Sequence, residues 1–162
     1  MFNHVLTKIK DGSITDAEIN MVFEVAEAAA IYQLDNLRAI NNSNDAKRLI
    51  RNSMQSYSHE CFCYLLLDNQ NQVIEIIKKW EGNLNSCQVY PAEIARDCLQ
   101  KNATRVILFH NHPSGNISPS DADTAITNRI REALKLIDVE VIDHIIVGKE
   151  GEYSFVEKGL LI

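Results

Sequence analysis

His110 and His112, one residue apart, are the side chains in this sequence best placed to hold one ion between them. They lie in a stretch, residues 109–123, that gathers two of the five histidines, two of the three prolines and a cluster of Ser and Asp. Consecutive residues of an extended strand point to opposite faces, so the two imidazoles project to the same side, with Cα atoms roughly 6.5 to 7 Å apart. Two imidazoles at that spacing can grip a metal. Pro113 ends the extended segment, and Gly115 permits a turn that other residues resist.

The helix that follows supplies acids. Ser118-Pro119-Ser120-Asp121 predicts a helix start with Ser118 as N-cap, Pro119 in the first position and Asp121 as the capping acid. On that frame Asp123 lies past the capping turn, with its carboxylate able to face the loop. Two histidines and a carboxylate leave one coordination position for water, the composition of a catalytic zinc site. Water held there has a pKa near ~7. Hydrolysis also needs a general base within reach. Glu60, Glu75 and Glu93 all qualify on spacing alone, and composition does not choose among them.

The elements that must position these residues form an α/β pattern. The apolar run Val106 to Phe109 reads as a buried strand feeding the histidine loop. Ahead of it, Cys61 to Leu67 and Val73 to Trp80 read as an antiparallel hairpin turning at Asp68-Asn69-Gln70-Asn71. A helix opened by Pro91 turns Ile94, Ala95, Cys98 and Leu99 inward. A helix over about 119–137 and two strands, Val139 to Val147 and Tyr153 to Val156, complete a mixed sheet with helices packed on it. Upstream, Thr15-Asp16-Ala17-Glu18 is a capping box opening an amphipathic helix of about four turns. Its apolar face must cover either the main core or a second subunit, so a homodimer through this helix is one expectation. His4 reads as solvated. The Asn-rich stretch 35–44 marks the boundary between an N-terminal helical appendage, 1–42, and a main domain, 43–162. A short helix, Asn44 to Met54, opens the latter.

With 162 residues the chain suits one ordinary domain. A net charge of −6 and a pI near 5.3 argue against a general nucleic-acid binder, which needs a basic patch. The longest basic clusters are the pairs Lys78-Lys79 and Lys47-Arg48. No apolar run approaches the roughly 18 to 20 residues of a membrane span, and no signal-peptide pattern opens the chain, so a cytoplasmic location is expected. Cys61, Cys63, Cys87 and Cys98 form no C-x-x-C pair and read as buried free thiols.

His110-x-His112, seven residues, then Ser120-x-x-Asp123 resembles the JAMM (MPN+) metalloprotease signature. The wider context resembles the RadC family: Leu108-Phe109-His110-Asn111-His112-Pro113-Ser114-Gly115, Pro119-Ser120, and Asp143-His144-Ile145-Ile146-Val147. The likeness runs from about Ser43 to the C-terminus and includes Leu66-Leu67-Asp68, Pro91-x-Glu93 and Tyr153-Ser154-Phe155. It implies a mixed, largely antiparallel sheet with packed helices, in the layering of JAMM and cytidine-deaminase-like domains. It also implies one zinc ion on His110, His112 and Asp123, with Glu60 as general acid and base. Ser120 is implied as a donor to the oxyanion of a tetrahedral intermediate. The substrate class implied is a peptide or protein, cleaved at an amide or isopeptide bond. For His144 the preferred reading is structural, or as a partner of a ligand, rather than as a ligand.

The sequence departs from that family in two places. Residues 1–42 contain no Gly-hydrophobic-Gly hairpin of the family's helix-hairpin-helix region, so DNA contact by that route is not expected. The family's His-Pro-Arg-Glu stands here as Tyr90-Pro91-Ala92-Glu93. Two other classes compete with the hydrolase: a DNA-repair-associated accessory factor or nuclease, and a non-catalytic MPN interaction module.

Overall fold

The computed structural model describes residues 2–36, 39–54, 57–81 and 89–161. Helices α1 (Phe2–Asp11), α2 (Asp16–Asn36) and α3 (Ser43–Met54) precede a strand pair, β1 (Cys61–Leu67) and β2 (Val73–Glu81). Helix α4 (Pro91–Lys101), strand β3 (Arg105–Asn111), helix α5 (Asp121–Lys135) and strands β4 (Glu140–Gly148) and β5 (Gly151–Ser154) follow. The five strands form one sheet in the order β2-β1-β3-β4-β5. Only the β3–β4 pair is parallel, and α5 makes its crossover. The sheet is therefore mixed and largely antiparallel.

Strand parity builds two cores. In β1 the even residues Phe62, Tyr64 and Leu66 pack with Ile94 and Cys98 of α4 and with Ile130 and Leu134 of α5. The odd residues Cys61, Cys63, Leu65 and Leu67 pack with Leu49, Ile50 and Met54 of α3. Every residue of β1 is buried, because helices cover both faces of the sheet. In β3, Val106 and Leu108 join the first core and Ile107 and Phe109 the second. The alternation sends His110 toward α5 and Asn111 toward α3.

Strand β4 breaks its own parity. Val106 pairs with Val141 but Ile107 pairs with Asp143, so Ile142 is an extra residue in the ladder. Val141 packs in the α4–α5 core and Ile142 against the α3 core, yet beyond the bulge Ile146 returns to the first face and Ile145 and Val147 to the second. His144 thereby faces α5 alongside His110. Asp143 secures the irregularity: its carboxylate accepts from the His144 amide at 2.7 Å, the Ser154 hydroxyl at 2.7 Å and the Val156 amide at 3.1 Å. Burial pushes its pKa up against the effect of those three donors.

The Thr15–Glu18 capping box forms: the Glu18 amide donates to Thr15 Oγ1 at 3.3 Å, and Glu18 Oε2 accepts from the Thr15 amide at 3.0 Å. The helix it opens runs 21 residues, longer than the expected four turns. Met21, Val22, Phe23 and Val25 on it are exposed. The His4 side chain and Cys87 lie outside the described residues. Cys61, Cys63 and Cys98 are buried, as expected. Leu99, expected to face inward, is 60% exposed, because Ile94 and Cys98 already fill the narrow inner stripe of α4. No described helix is long and apolar enough to cross a membrane.

Candidate metal centre

The end of β3, the loop after it and the first turn of α5 meet on the α5 side of the sheet. His110 is fully buried within β3, while His112, just past the strand, keeps 16% of its side chain exposed. The loop is held back against β4, with the His112 amide donating to the Val147 carbonyl at 2.8 Å and the Gly115 amide to the His112 carbonyl at 2.9 Å. Gly115 adopts φ +92°, and a Cβ on Gly148 would lie 2.5 Å from the Gly115 carbonyl oxygen. Close backbone approach thus requires glycine at 148.

Helix α5 begins two residues later than the Ser118 frame expects. Ser120, extended at φ −83° and ψ 167°, is the N-cap, and Asp123 is the acid of the capping box. Two Ser-x-x-Asp frames overlap here, Ser118–Asp121 and Ser120–Asp123, and proline in the first favoured it. The second frame prevails, and it buries Asp123 beside His110. Asp123 therefore both caps the helix and faces the histidines, whereas Asp121 is exposed. Asp123 Oδ2 accepts from the Ser120 hydroxyl and from the Ser120 amide, each at 2.7 Å. Its Oδ1 lies 3.2 Å from His110 Nε2, and its Oδ2 lies 3.7 Å from His112 Nε2. Burial works to raise the Asp123 pKa, but the adjacent His110 and the Ser120 donors outweigh it and hold the carboxyl below the ordinary range.

The two histidines turn their Nε2 atoms to each other at 2.9 Å, while each Nδ1 has a protein partner. His112 Nδ1 donates to the Asn116 carbonyl at 2.7 Å, which leaves its Nε2 unprotonated in the neutral ring. His110 Nδ1 meets His144 Nε2 at 2.9 Å. Two imidazole nitrogens and an ionised carboxylate thus face one point with little room and few protons. That donor set fits a divalent cation with an open position.

Glu60, half-buried immediately before β1, brings its carboxylate to the same point: its oxygen and ring nitrogens of His110 and His112 lie within 4.8 Å of one another. The other two acids considered are engaged elsewhere, Glu75 with Lys101 at 2.8 Å and Glu93 with Lys79 at 3.6 Å. The structure therefore brings together Glu60, His110, His112 and Asp123, with Ser120 attached through the cap.

Two further residues belong to this assembly. Asn111, buried on the opposite face of β3, accepts from the Cys61 amide and donates to the His59 carbonyl, clamping the segment that carries Glu60. Strand parity could have separated Asn111 from its flanking histidines, but nothing in the sequence names its partners. His144 contacts His110 directly, packs between Phe62 and Phe155, and accepts no solvent. Burial first, and then the neighbouring His110, push its pKa well below the ordinary imidazole value, so it is neutral.

A UPF0758 protein of Marinobacter nauticus is 35% identical over 93% of this chain and 67% of its own length. One from Nitrosospira multiformis is 38% identical over 90% of this chain and 65% of its own length. A third, from Vibrio cholerae, is 44% identical over 76% of this chain and 78% of its own length. The chain spans about two thirds of the length of the first two, and the shared name states no activity. The model of the RadC-like JAB domain matches residues 40–160, a range that takes in the histidine loop, Asp123 and Glu60, and the chain belongs to that family.

Proposed function

We propose that the protein is a zinc-dependent hydrolase of the JAMM type, cleaving an amide or isopeptide bond in a peptide or protein. The observation that carries this reading is the convergence of His110 Nε2, His112 Nε2 and the Asp123 carboxylate, with Glu60 within 4.8 Å of both histidines. His110, His112 and Asp123 would hold the ion. Bound there, zinc supplies a Lewis acid that acidifies water and polarises a carbonyl.

The chain's own residues supply the proton traffic. Glu60 takes a proton from the attacking water and returns it to the leaving amine, which requires one carboxylate to act as base and then as acid. Its half-buried position and its place outside the buried ligand cluster suit that alternation. Ser120 is the proposed donor to the developing oxyanion. Its hydroxyl proton is given to Asp123 Oδ2 in the resting protein, so this role needs the hydroxyl to rotate from the cap to the substrate.

Metal analysis of the purified chain tests the first step: about one zinc per chain is expected, and His112→Ala and Asp123→Ala are expected to lose it. Equal zinc in wild type and variants would defeat the site. Glu60→Gln, which keeps the ligands, serves as a trap for cleavable substrates. A non-catalytic module would function unchanged with that substitution, and a nucleic-acid role would require salt-dependent DNA binding, which the net charge of −6 does not favour.

A further inference from the structure

We propose that the cleft between α3 and the histidine loop is a specificity subsite for an acidic side chain of the substrate, with Arg51 and Lys149 as the partners of its carboxylate. It narrows the substrate of the hydrolase proposed above and rests on that reading, but its test needs no metal.

The cleft has a volume of about 520 Å³, within the range of about 300–1,000 Å³ usual for small-ligand sites. Helix α3 supplies Arg51 and Met54 to its lining, the segment before β1 supplies Tyr57, the histidine loop His112 and Pro113, and the turn after β4 Lys149. Of the proposed metal ligands only His112 lines it, so the cleft and the metal centre share that side chain. A peptide seated in the cleft therefore meets the metal point at His112.

The acidic chain changes sign here. Its net charge is −6, yet the lining contains two cations, Arg51 and Lys149, and no carboxylate. A third cation, Lys78, stands 4.1 Å from the centre of the Tyr57 ring. Glu152 holds Arg51 through Nε at 2.7 Å, the one ion pair of Arg51 among the described residues. That contact fixes the guanidinium and leaves its two terminal nitrogens for a second carboxylate, which such a fork receives in bidentate fashion. Lys149 is placed by a glycine. A Cβ on Gly115 would lie 3.4 Å from Lys149 Cβ and 3.6 Å from its Cδ, so the lysine stem lies across the bare backbone of the histidine loop.

A carboxylate on a short methylene stem matches this lining: Met54, Tyr57 and Pro113 offer apolar surface to the stem, and Arg51 and Lys149 take the charge. The C-terminal carboxylate of a peptide has no such stem. A nucleic-acid backbone needs a row of basic side chains, and the longest basic clusters in this sequence are pairs.

The test titrates capped pentapeptides of glycine, carrying one central Glu, Gln or Lys, into the isotope-labelled, metal-free chain while the backbone amide shifts are followed. The Glu peptide is expected to shift the amides of Arg51, Tyr57, His112 and Lys149. It should bind about tenfold more tightly than the Gln peptide, as one charge-assisted contact allows, and the Lys peptide should not bind. Arg51→Gln combined with Lys149→Gln should reduce the Glu peptide to the level of the Gln peptide. Both side chains are exposed, and if the double variant does not fold, Lys149→Gln alone is expected to lose part of the preference. Equal binding of the Glu and Gln peptides, shifts confined to another face, or a Glu preference that survives these substitutions overturns the proposal. So does a peptide whose one carboxylate is its C-terminus, or a short single-stranded DNA, that shifts the same amides at lower concentration than the Glu peptide. A chain that takes up no Zn2+ would defeat the hydrolase reading, while the metal-free titration would still decide what the cleft holds.

Discussion

The Asn111 side chain brackets Glu60: its Oδ1 accepts from the Cys61 amide at 2.7 Å and its Nδ2 donates to the His59 carbonyl at 2.9 Å. The residue between the two histidines thus fixes the backbone on both sides of the proposed acid and base. Asn111→Ala is expected to lower kcat while leaving zinc stoichiometry intact, since both Nε2 atoms lie on the other face of β3. It should also destabilise the fold by about 1–3 kcal/mol through the orphaned Cys61 amide. Steady-state kinetics beside a metal assay and a urea melt check both expectations. Loss of zinc with unchanged kcat per bound zinc would contradict the bracket.

Glu60→Gln keeps the shape of the side chain but removes the base. Turnover on any cleaved substrate should fall about a hundred- to ten-thousand-fold, the range for general acid–base contributions. Zinc content and KM should change little. A variant retaining more than about a tenth of wild-type kcat would remove Glu60 from the proton transfer.

Gly148→Ala tests the loop. Its Cβ would lie 2.5 Å from the Gly115 carbonyl oxygen and 2.8 Å from Ile117 Cγ2, and neither contact is with the yielding end of a long side chain. The loop must shift, and with it the Asn116 carbonyl that orients His112. Overpacking of this kind costs about 1–3 kcal/mol. A lower Tm together with weaker zinc binding is expected. Calorimetry with and without added zinc measures both, and an unchanged zinc affinity would show that the loop does not set His112.

Away from the site, Asp97 accepts from the Tyr64 hydroxyl and from Lys79 Nζ, the latter at 3.1 Å. Burial works to raise its pKa, but these two donors and the nearby cations bring it below the ordinary carboxylate value. A folded pKa below the unfolded one, about 3.9, contributes stability that is present above about pH 4. That contribution is lost as pH falls through the folded value. Asp97→Asn should therefore lower the urea midpoint at neutral pH, with the difference from wild type shrinking on acidification. A gap that widens below pH ~4 would reverse the sign.

The succession of strands and helices around the site and the shared side of His110 and His112 are legible because they follow from short-range pattern. A buried apolar run, an His-x-His spacing and a proline stop each act within a few residues. Asp123 was found, but with its structural duty assigned to Asp121, because two overlapping Ser-x-x-Asp frames look alike until burial chooses between them. Glu60 could not be told from Glu75 or Glu93 by spacing, since what singles it out is a backbone clamp from a strand fifty residues on. The part played by His144 was hidden for a different reason. Counting alternate residues from Val141 puts His144 on the α3 face, and only the extra residue Ile142 moves it to the other.

That bulge makes β4 a phase shifter. Its early residues keep step with one wall of the protein and its later ones with the other, so the strand spells its message in two reading frames joined at Ile142. Deleting that single residue would leave composition, hydropathy and motif almost untouched. It would also leave the faces untouched: the pairs Val106–Val141 and Ile107–Asp143 would become neighbours in an unbroken ladder, and His144, then two places from Val141, would stay behind His110. Loss or gain of a residue in the regular ladder beyond the break, between His144 and Val147, has no such compensation and turns the side chains that follow to the opposite wall.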